Sequence, residues 1–208
     1  MPEAARHLLL VRHGQSVWNA EDRWQGQADP PLSELGEAQA REAARRMAEM
    51  GFSLVVASDL QRARRTAEIL AAAVGMGVRL EAGLREIDVG EWEGLTRAEI
   101  KARWPRELTD WSQGRRESPL GGETRSHLAE RARSTLTRLA AEAGAGERIL
   151  VVTHGALIRS LDRALGVPSE TMPNLGGRWY QADGNGALVP GAVVSLADPE
   201  DTTLSRNP

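Results

Sequence analysis

The apolar residues of this chain gather in a few short, unbroken runs separated by longer stretches with helical spacing. Residues 7–11 (HLLLV), 54–57 (LVVA) and 149–153 (ILVVT) are continuously apolar rather than alternating. That is the pattern of strands covered on both faces. Residues 78–80 add a shorter fragment, and strands near 179–182 and 192–196 close the pattern. Helices are predicted between them. Ser33 can cap one that runs to about 49, with Glu34 and Glu37 in its first turn. Ser58 and Gln61 fit a capping box opening a second helix to about 74. Thr96 and Glu99 fit another, whose short helix must end near Trp104-Pro105. Two more are expected over 124–142 and 155–165, and the last ten residues are expected to fray. Residues 12–32 read as a polar loop containing tryptophan, and residues 105–122 as irregular.

Strands alternating with helices predict an α/β fold with a mostly parallel sheet covered on both faces. No repeat or linker interrupts the chain, so one domain over residues 1–208 is expected. The irregular stretch reads as a surface insertion of the kind that more often serves as a functional lid than as packing.

Composition narrows the chemistry. A chain of 208 residues that is 41% hydrophobic can build one sizeable core. A net charge of −3 argues against nucleic acid as a partner. The absence of cysteine excludes disulfides, zinc–thiolate sites and a cysteine nucleophile. The opening MPEAARHLLLVRHG has too short an apolar run for a signal peptide or membrane span, so a soluble cytoplasmic protein is the expectation. Lys101 is the only lysine and lies in a polar helical stretch, which sets lysine-nucleophile mechanisms aside.

In open α/β sheets, ligands bind at the carboxyl ends of strands. Arg12, His13 and Gly14 follow the first strand, and Ser58 with Arg62 one turn later follow the second. An acidic stretch containing Glu86, Asp88, Glu91 and Glu93 follows the third, and His154 and Gly155 follow the last strong strand. A lone histidine or arginine at such a place is usually structural; the convergence is what carries weight. His7 and His127 have no supporting motif and read as surface residues. Phosphoryl transfer needs positioning and charge neutralisation, which arginine forks supply without a metal. A neutral imidazole can attack phosphorus if its other nitrogen is held as a donor. A carboxylic acid must then protonate the leaving oxygen and later deprotonate water. A metal site is the rival use of two histidines, but metals favour carboxylate neighbours over flanking arginines.

The stretch LLLVRHGQSVWN resembles the signature of the histidine phosphatase superfamily, also called phosphoglycerate mutase-like. SDLQRARRTAEIL, LREIDVGEWEG and VVTHGALIR resemble its second-arginine, acid-residue and second-histidine segments, in family order. The resemblance implies a three-layer α/β/α sandwich with a short cap insertion at about 88–125. It implies that His13 becomes phosphorylated, that Glu86 rather than Glu91 or Glu93 is the proton donor, and that Arg12, Arg62 and His154 bind the phosphoryl group. Asn19, Gln25, Gly26 and Gly155 fall where the family contacts phosphate or substrate. It further implies no metal or other cofactor, a small-molecule phosphate ester as substrate, inorganic phosphate as product, and a homodimer at family level.

The short segment between Glu86 and His154 favours hydrolysis over mutase chemistry, which in this family goes with a longer cap. RWQGQADPPLSELG, with Gly121-Gly122-Glu123, is similar to broad-specificity and glucosyl-3-phosphoglycerate phosphatase-type members. A catalytically silent phospholigand-binding protein is the alternative from another class. On the lid, Arg115 and Arg116 read either as favouring an acidic substrate or as a solvated basic pair, and Trp24, Trp104 and Trp111 either stack on a sugar or pack the lid.

Overall fold

The computed structural model describes residues 5–168, 170–183 and 186–197, so the expected fray of the last ten residues lies outside the described residues. The strands are β1 (Arg6–Arg12), β2 (Leu54–Ala57), β3 (Val78–Leu80), β4 (Arg148–Thr153), β5 (Gly176–Ala182) and β6 (Leu188–Ser195). The helices are α1 (Val17–Ala20), α2 (Glu34–Met47), α3 (Gln61–Ala72), α4 (Arg97–Arg103), α5 (Pro105–Ser112), α6 (Arg125–Glu142) and α7 (Gly155–Ala164). The described strands form one sheet in the order β3-β2-β4-β1-β5-β6. Pairing is parallel from β3 to β1 and antiparallel at β1–β5 and β5–β6. This is the mixed α/β class that the strand–helix alternation predicts.

The unbroken apolar runs have a direct cause. Leu8 and Leu10 of β1 and Val56 of β2 face one core with α6, α7, Trp24 and Trp92. Leu9 and Val11, with Val55 and Ala57, face the other, against α2 and α3. Every one of these strand residues is fully buried, so alternation would leave a polar residue in a core. Each such leucine or valine removes about 1.5–3 kcal/mol worth of apolar surface from water.

Register then places the chemistry. β1 and β4 are central neighbours, paired from His7↔Arg148 to Arg12↔Thr153, so both end at the same level of the sheet. His13 and His154 are the next residues of each, and the His13 N–H donates to the Thr153 carbonyl at 3.0 Å.

Three local expectations need correction. The Ser58/Gln61 capping box does not form: Leu60 is the N-cap of α3 without a side-chain bond, and Ser58 Oγ accepts from the Leu60 N–H at 3.3 Å, tightening the turn before the helix. Residues 105–112 are helical rather than irregular. Pro105 supplies the fixed φ of a first helical position, and Leu108 and Trp111, three apart, are buried against the core. Within the polar loop, Ser16 and Asn19 build a capping box around the one-turn helix α1.

A buried cluster ties α7 to β5. Asp162, fully inaccessible, accepts from Tyr180 Oη at 2.5 Å and from Arg178 Nε at 3.2 Å. Tyr180→Phe removes one donor from a buried carboxylate, with an expected loss of about 1–3 kcal/mol read from urea unfolding. An unchanged midpoint would show that the hydroxyl contributes nothing.

Candidate active site

His13 lines the site with its tautomer set by the backbone. Its Nδ1 lies 2.6 Å from the Gly14 carbonyl oxygen, so Nδ1 carries the proton and donates. Nε2 keeps its lone pair. The turn that holds it is pinned from several sides. Asn174 Nδ2 donates to the His13 carbonyl at 2.8 Å, and the Gly14 N–H donates to Thr66 Oγ1 at 3.1 Å. A Cβ at Gly14 would lie 2.6 Å from the Gly36 carbonyl oxygen, so only glycine allows the turn to sit on α2.

His154 stands edge-to-face with His13, with ring centroids 5.1 Å apart at 64°. It is fully buried, and neither ring nitrogen has a hydrogen-bond partner. Burial, then the charge of Arg62, pushes both imidazoles well below the ordinary 6.5, and Arg12 adds to the effect on His13. Both rings are therefore neutral at pH 7.

The two arginines are anchored through part of their forks. Arg12 donates from Nη1 to the Met172 carbonyl at 2.8 Å. Arg62 donates to the Ala28 and Gly26 carbonyls at 2.8 and 2.9 Å. The Nε of each is buried without a partner. Burial lowers both to about 10, which leaves them cationic at neutral pH. Two buried guanidiniums bonded only to neutral carbonyls favour an anion beside them.

Glu86 follows a 3-10 turn at Ala82–Leu84. Its carboxylate accepts from the N–H groups of Ile87, Ala156 and Leu157 at 3.0–3.1 Å. It thereby satisfies the exposed donors at the start of α7, the helix that His154 caps. Arg131 of α6 holds this loop, donating to the carbonyls of Gly83, Arg85 and Glu86 while pairing with Glu123.

Arg12, His13, Arg62 and Glu86 share a narrow recess with Asn19, Gln25 and Gly26, walled by Trp24 and Val89. His154 and Gly155 do not line it: His154 packs behind the His13 ring, and Gly155 lies against Arg12.

Sequence reasoning missed several supporting residues. Buried Ser16 orients two recess residues: its hydroxyl donates to Gln25 Oε1 at 2.7 Å and its backbone N–H donates to Asn19 Oδ1 at 3.2 Å. The Ser-x-x-Asn spacing was a usable signal for it. Thr66, Arg131 and Asn174 have no comparable local signal. The lid residues serve other ends. Arg115 bonds Asp110, and Arg116 donates to the Ser118 carbonyl. Trp24, Trp92 and Trp111 pack edge-to-face in the core. His127 is exposed and pairs with Glu123. Among the described residues, no group of three or more His, Asp or Glu is arranged to hold a metal, and no helix is long and apolar enough to cross a membrane.

The family model for the histidine phosphatase superfamily (branch 1) matches residues 8–181. The chain belongs to the histidine phosphatase superfamily. Among histidine phosphatase relatives, it is 40% identical over 195 residues to the glucosyl-3-phosphoglycerate phosphatase of Mycobacterium tuberculosis, covering 88% of this chain and 87% of that one. It is 41% identical over 168 residues to a probable phosphoglycerate mutase, GpmB, of Escherichia fergusonii, covering 78% and 76%. A solved structure of mycobacterial glucosyl-3-phosphoglycerate phosphatase complexed with VO3 matches with a TM-score of 0.81 at 34% identity, covering 92% of this chain and 100% of that one.

Proposed function

We propose that this histidine phosphatase hydrolyses small phosphate monoesters through a phosphorylated His13. The observation that carries the reading is a neutral imidazole, its Nδ1 proton held by Gly14, in one recess with two buried guanidiniums. His13 Nε2 attacks phosphorus as the ester P–O bond breaks. Arg12 and Arg62 neutralise the equatorial oxygens, which is the larger part of catalysis in phosphoryl transfer. His154 donates to the transferring group, and Asn19, Gln25 and Gly26 with the Gly155 backbone position it. Glu86 gives a proton to the leaving oxygen. It then takes one from water, which attacks the phosphohistidine and releases inorganic phosphate and neutral His13. Arginine charge does the neutralising throughout, so no step calls on a metal. The cap over about 88–125 contributes only short helical pieces, a 3-10 turn at Gly90–Trp92 and the helices α4 and α5, which favours access for that water. The names of the relatives suggest a phosphoglycerate-type or sugar-phosphate ester.

Rapid acid quench with a labelled substrate tests the reading. An acid-labile, base-stable phosphoenzyme with net phosphate release supports it. Intramolecular phosphate relocation on phosphoglycerate exceeding release would replace it with mutase chemistry.

The pH profile gives a second test. With burial and two arginines pushing His13 well below 6.5, its lone pair remains available through mildly acidic pH. The acid limb of kcat/KM assigned to His13 is therefore expected below pH 6.5. A His13-dependent limb at or above that value would contradict the described environment.

A further inference from the structure

The backbone ladder on β1 stops one peptide short of the His13 turn, and side chains continue it. The Arg12–His13 peptide still has backbone partners on both sides. Its carbonyl accepts from the Leu175 N–H at 3.0 Å, and its N–H donates to the Thr153 carbonyl at 3.0 Å. The next peptide, His13–Gly14, is gripped at both ends by side chains. Its carbonyl accepts from Asn174 Nδ2 at 2.8 Å, and its N–H donates to Thr66 Oγ1 at 3.1 Å. The carbonyl that takes the His13 Nδ1 proton belongs to the adjoining Gly14, so the attitude of the imidazole follows this peptide.

Each gripping side chain comes from a segment that also carries or holds an arginine. Thr66 Oγ1 donates to the Arg62 carbonyl at 2.7 Å, which leaves its lone pair for the Gly14 N–H. Asn174 lies two residues after Met172, whose carbonyl holds Arg12 Nη1. The turn that carries Asn174 is built against local preference. Leu175 is fully buried with φ at +58°, a left-handed conformation that bulky residues rarely adopt. Asn174 Oδ1 is buried with no hydrogen-bond partner among the described residues, an unpaired acceptor that lowers stability. Both unfavourable features fall on the two residues that bond the Arg12 and His13 carbonyls. Strain of this kind persists where the surroundings over-determine it and gathers at functional sites.

We propose that Asn174 and Thr66 are positioning residues that hold the His13–Gly14 peptide so that His13 Nε2 meets phosphorus in line with the group held by Arg12 and Arg62. The proposal rests on the phosphohistidine reading and adds the residues that set the angle of attack.

The test uses Asn174→Ala, Thr66→Val and Thr66→Ser with p-nitrophenyl phosphate as substrate and inorganic phosphate and vanadate as competing inhibitors. Phosphate binds by arginine charge and needs no bond to His13. Vanadate takes the five-coordinate shape of the transition state with His13 Nε2 as a ligand, so its affinity reports alignment. Asn174→Ala and Thr66→Val are expected to lower kcat on the order of 10- to 100-fold, with KM little changed. Vanadate inhibition weakens by a similar factor, and phosphate inhibition stays nearly the same. Thr66→Ser keeps the hydroxyl and restores most of both losses. Native kcat and vanadate affinity in the folded variants, whatever their loss of stability, would overturn the proposal. So would equal weakening of phosphate and vanadate, which would mark a role in anion binding rather than alignment. If Asn174→Ala does not fold, the contrast between Thr66→Val and Thr66→Ser decides. Acid-quench labelling of the native protein separates the two failures. Its absence removes the phosphohistidine reading and this proposal with it, whereas labelling with unaffected variants removes the positioning roles alone.

Discussion

His13→Ala is expected to lower kcat for p-nitrophenyl phosphate on the order of 10⁴-fold or more and to abolish acid-labile labelling. Removing a covalent nucleophile closes the two-step route, and what remains is the charge stabilisation of Arg12, Arg62 and His154. The fold should persist at pH 7, because the turn is also held by Asn174 and Thr66 through backbone atoms. Acid sensitivity separates loss of chemistry from loss of structure. Buried His13 is neutral in the folded chain and titrates below 6.5, whereas in the unfolded chain it titrates near 6.5. Above 6.5 both states are neutral and nothing is lost. As pH falls below 6.5 the unfolded chain binds the proton first, so native stability falls with pH. The alanine variant lacks this contribution and is expected to lose less stability between pH 6.5 and 5. Retained activity in His13→Ala would falsify the phosphohistidine route.

Gly36→Ala is expected to destabilise the protein by about 2 kcal/mol and to reduce kcat/KM roughly 10²-fold, although residue 36 does not line the recess. Two effects compete. Alanine is the better helix former by about 1 kcal/mol. Its Cβ, however, would lie 1.9 Å from the Gln15 carbonyl oxygen and 2.8–2.9 Å from other Gln15 backbone atoms. That oxygen accepts from the Ser33 N–H and hydroxyl, and the Gln15 N–H donates to Gln39 Oε1. No flexible side chain is available to yield, so the clash wins. The backbone between His13 and Ser16 must shift, taking with it the seat of His13 and Ser16, whose N–H and hydroxyl orient Asn19 and Gln25. Urea unfolding and steady-state kinetics on one preparation check both numbers. Native-like stability together with native kcat/KM would show that the turn has room to move.

These two residues differ in how far the chain discloses them. Arg-His-Gly after an unbroken apolar run is visible as a strand end bearing chemistry, and so is His154. Gly36 is one glycine in an alanine-rich helix, and its importance comes from a turn contributed by residues about twenty positions earlier. Glu86 lies between: spacing left Asp88, Glu91 and Glu93 equally available, and the family resemblance singled it out. Its contact with the start of α7 spans 70 residues of chain. Helix α5 went unread because eight residues are too few to be stable alone, and burial of Leu108 and Trp111 holds it. The Ser58/Gln61 pattern misled in the opposite sense, a local motif displaced when the turn after β2 took the hydroxyl for itself.

The chain by itself determined which segments are strands buried on both faces, the capped starts of α2 and α4, and which residues stand at strand ends. All of that rests on neighbours within a few positions. Only the tertiary structure decided that β1 lies beside β4 in a register ending level, bringing His13 against His154. It alone joined Glu86 to α7 and brought Asn174 to the His13 carbonyl while Arg115 turned to Asp110. Those outcomes depend on packing two cores against one sheet and on where unpaired charge is tolerated, and no short stretch of sequence carries either.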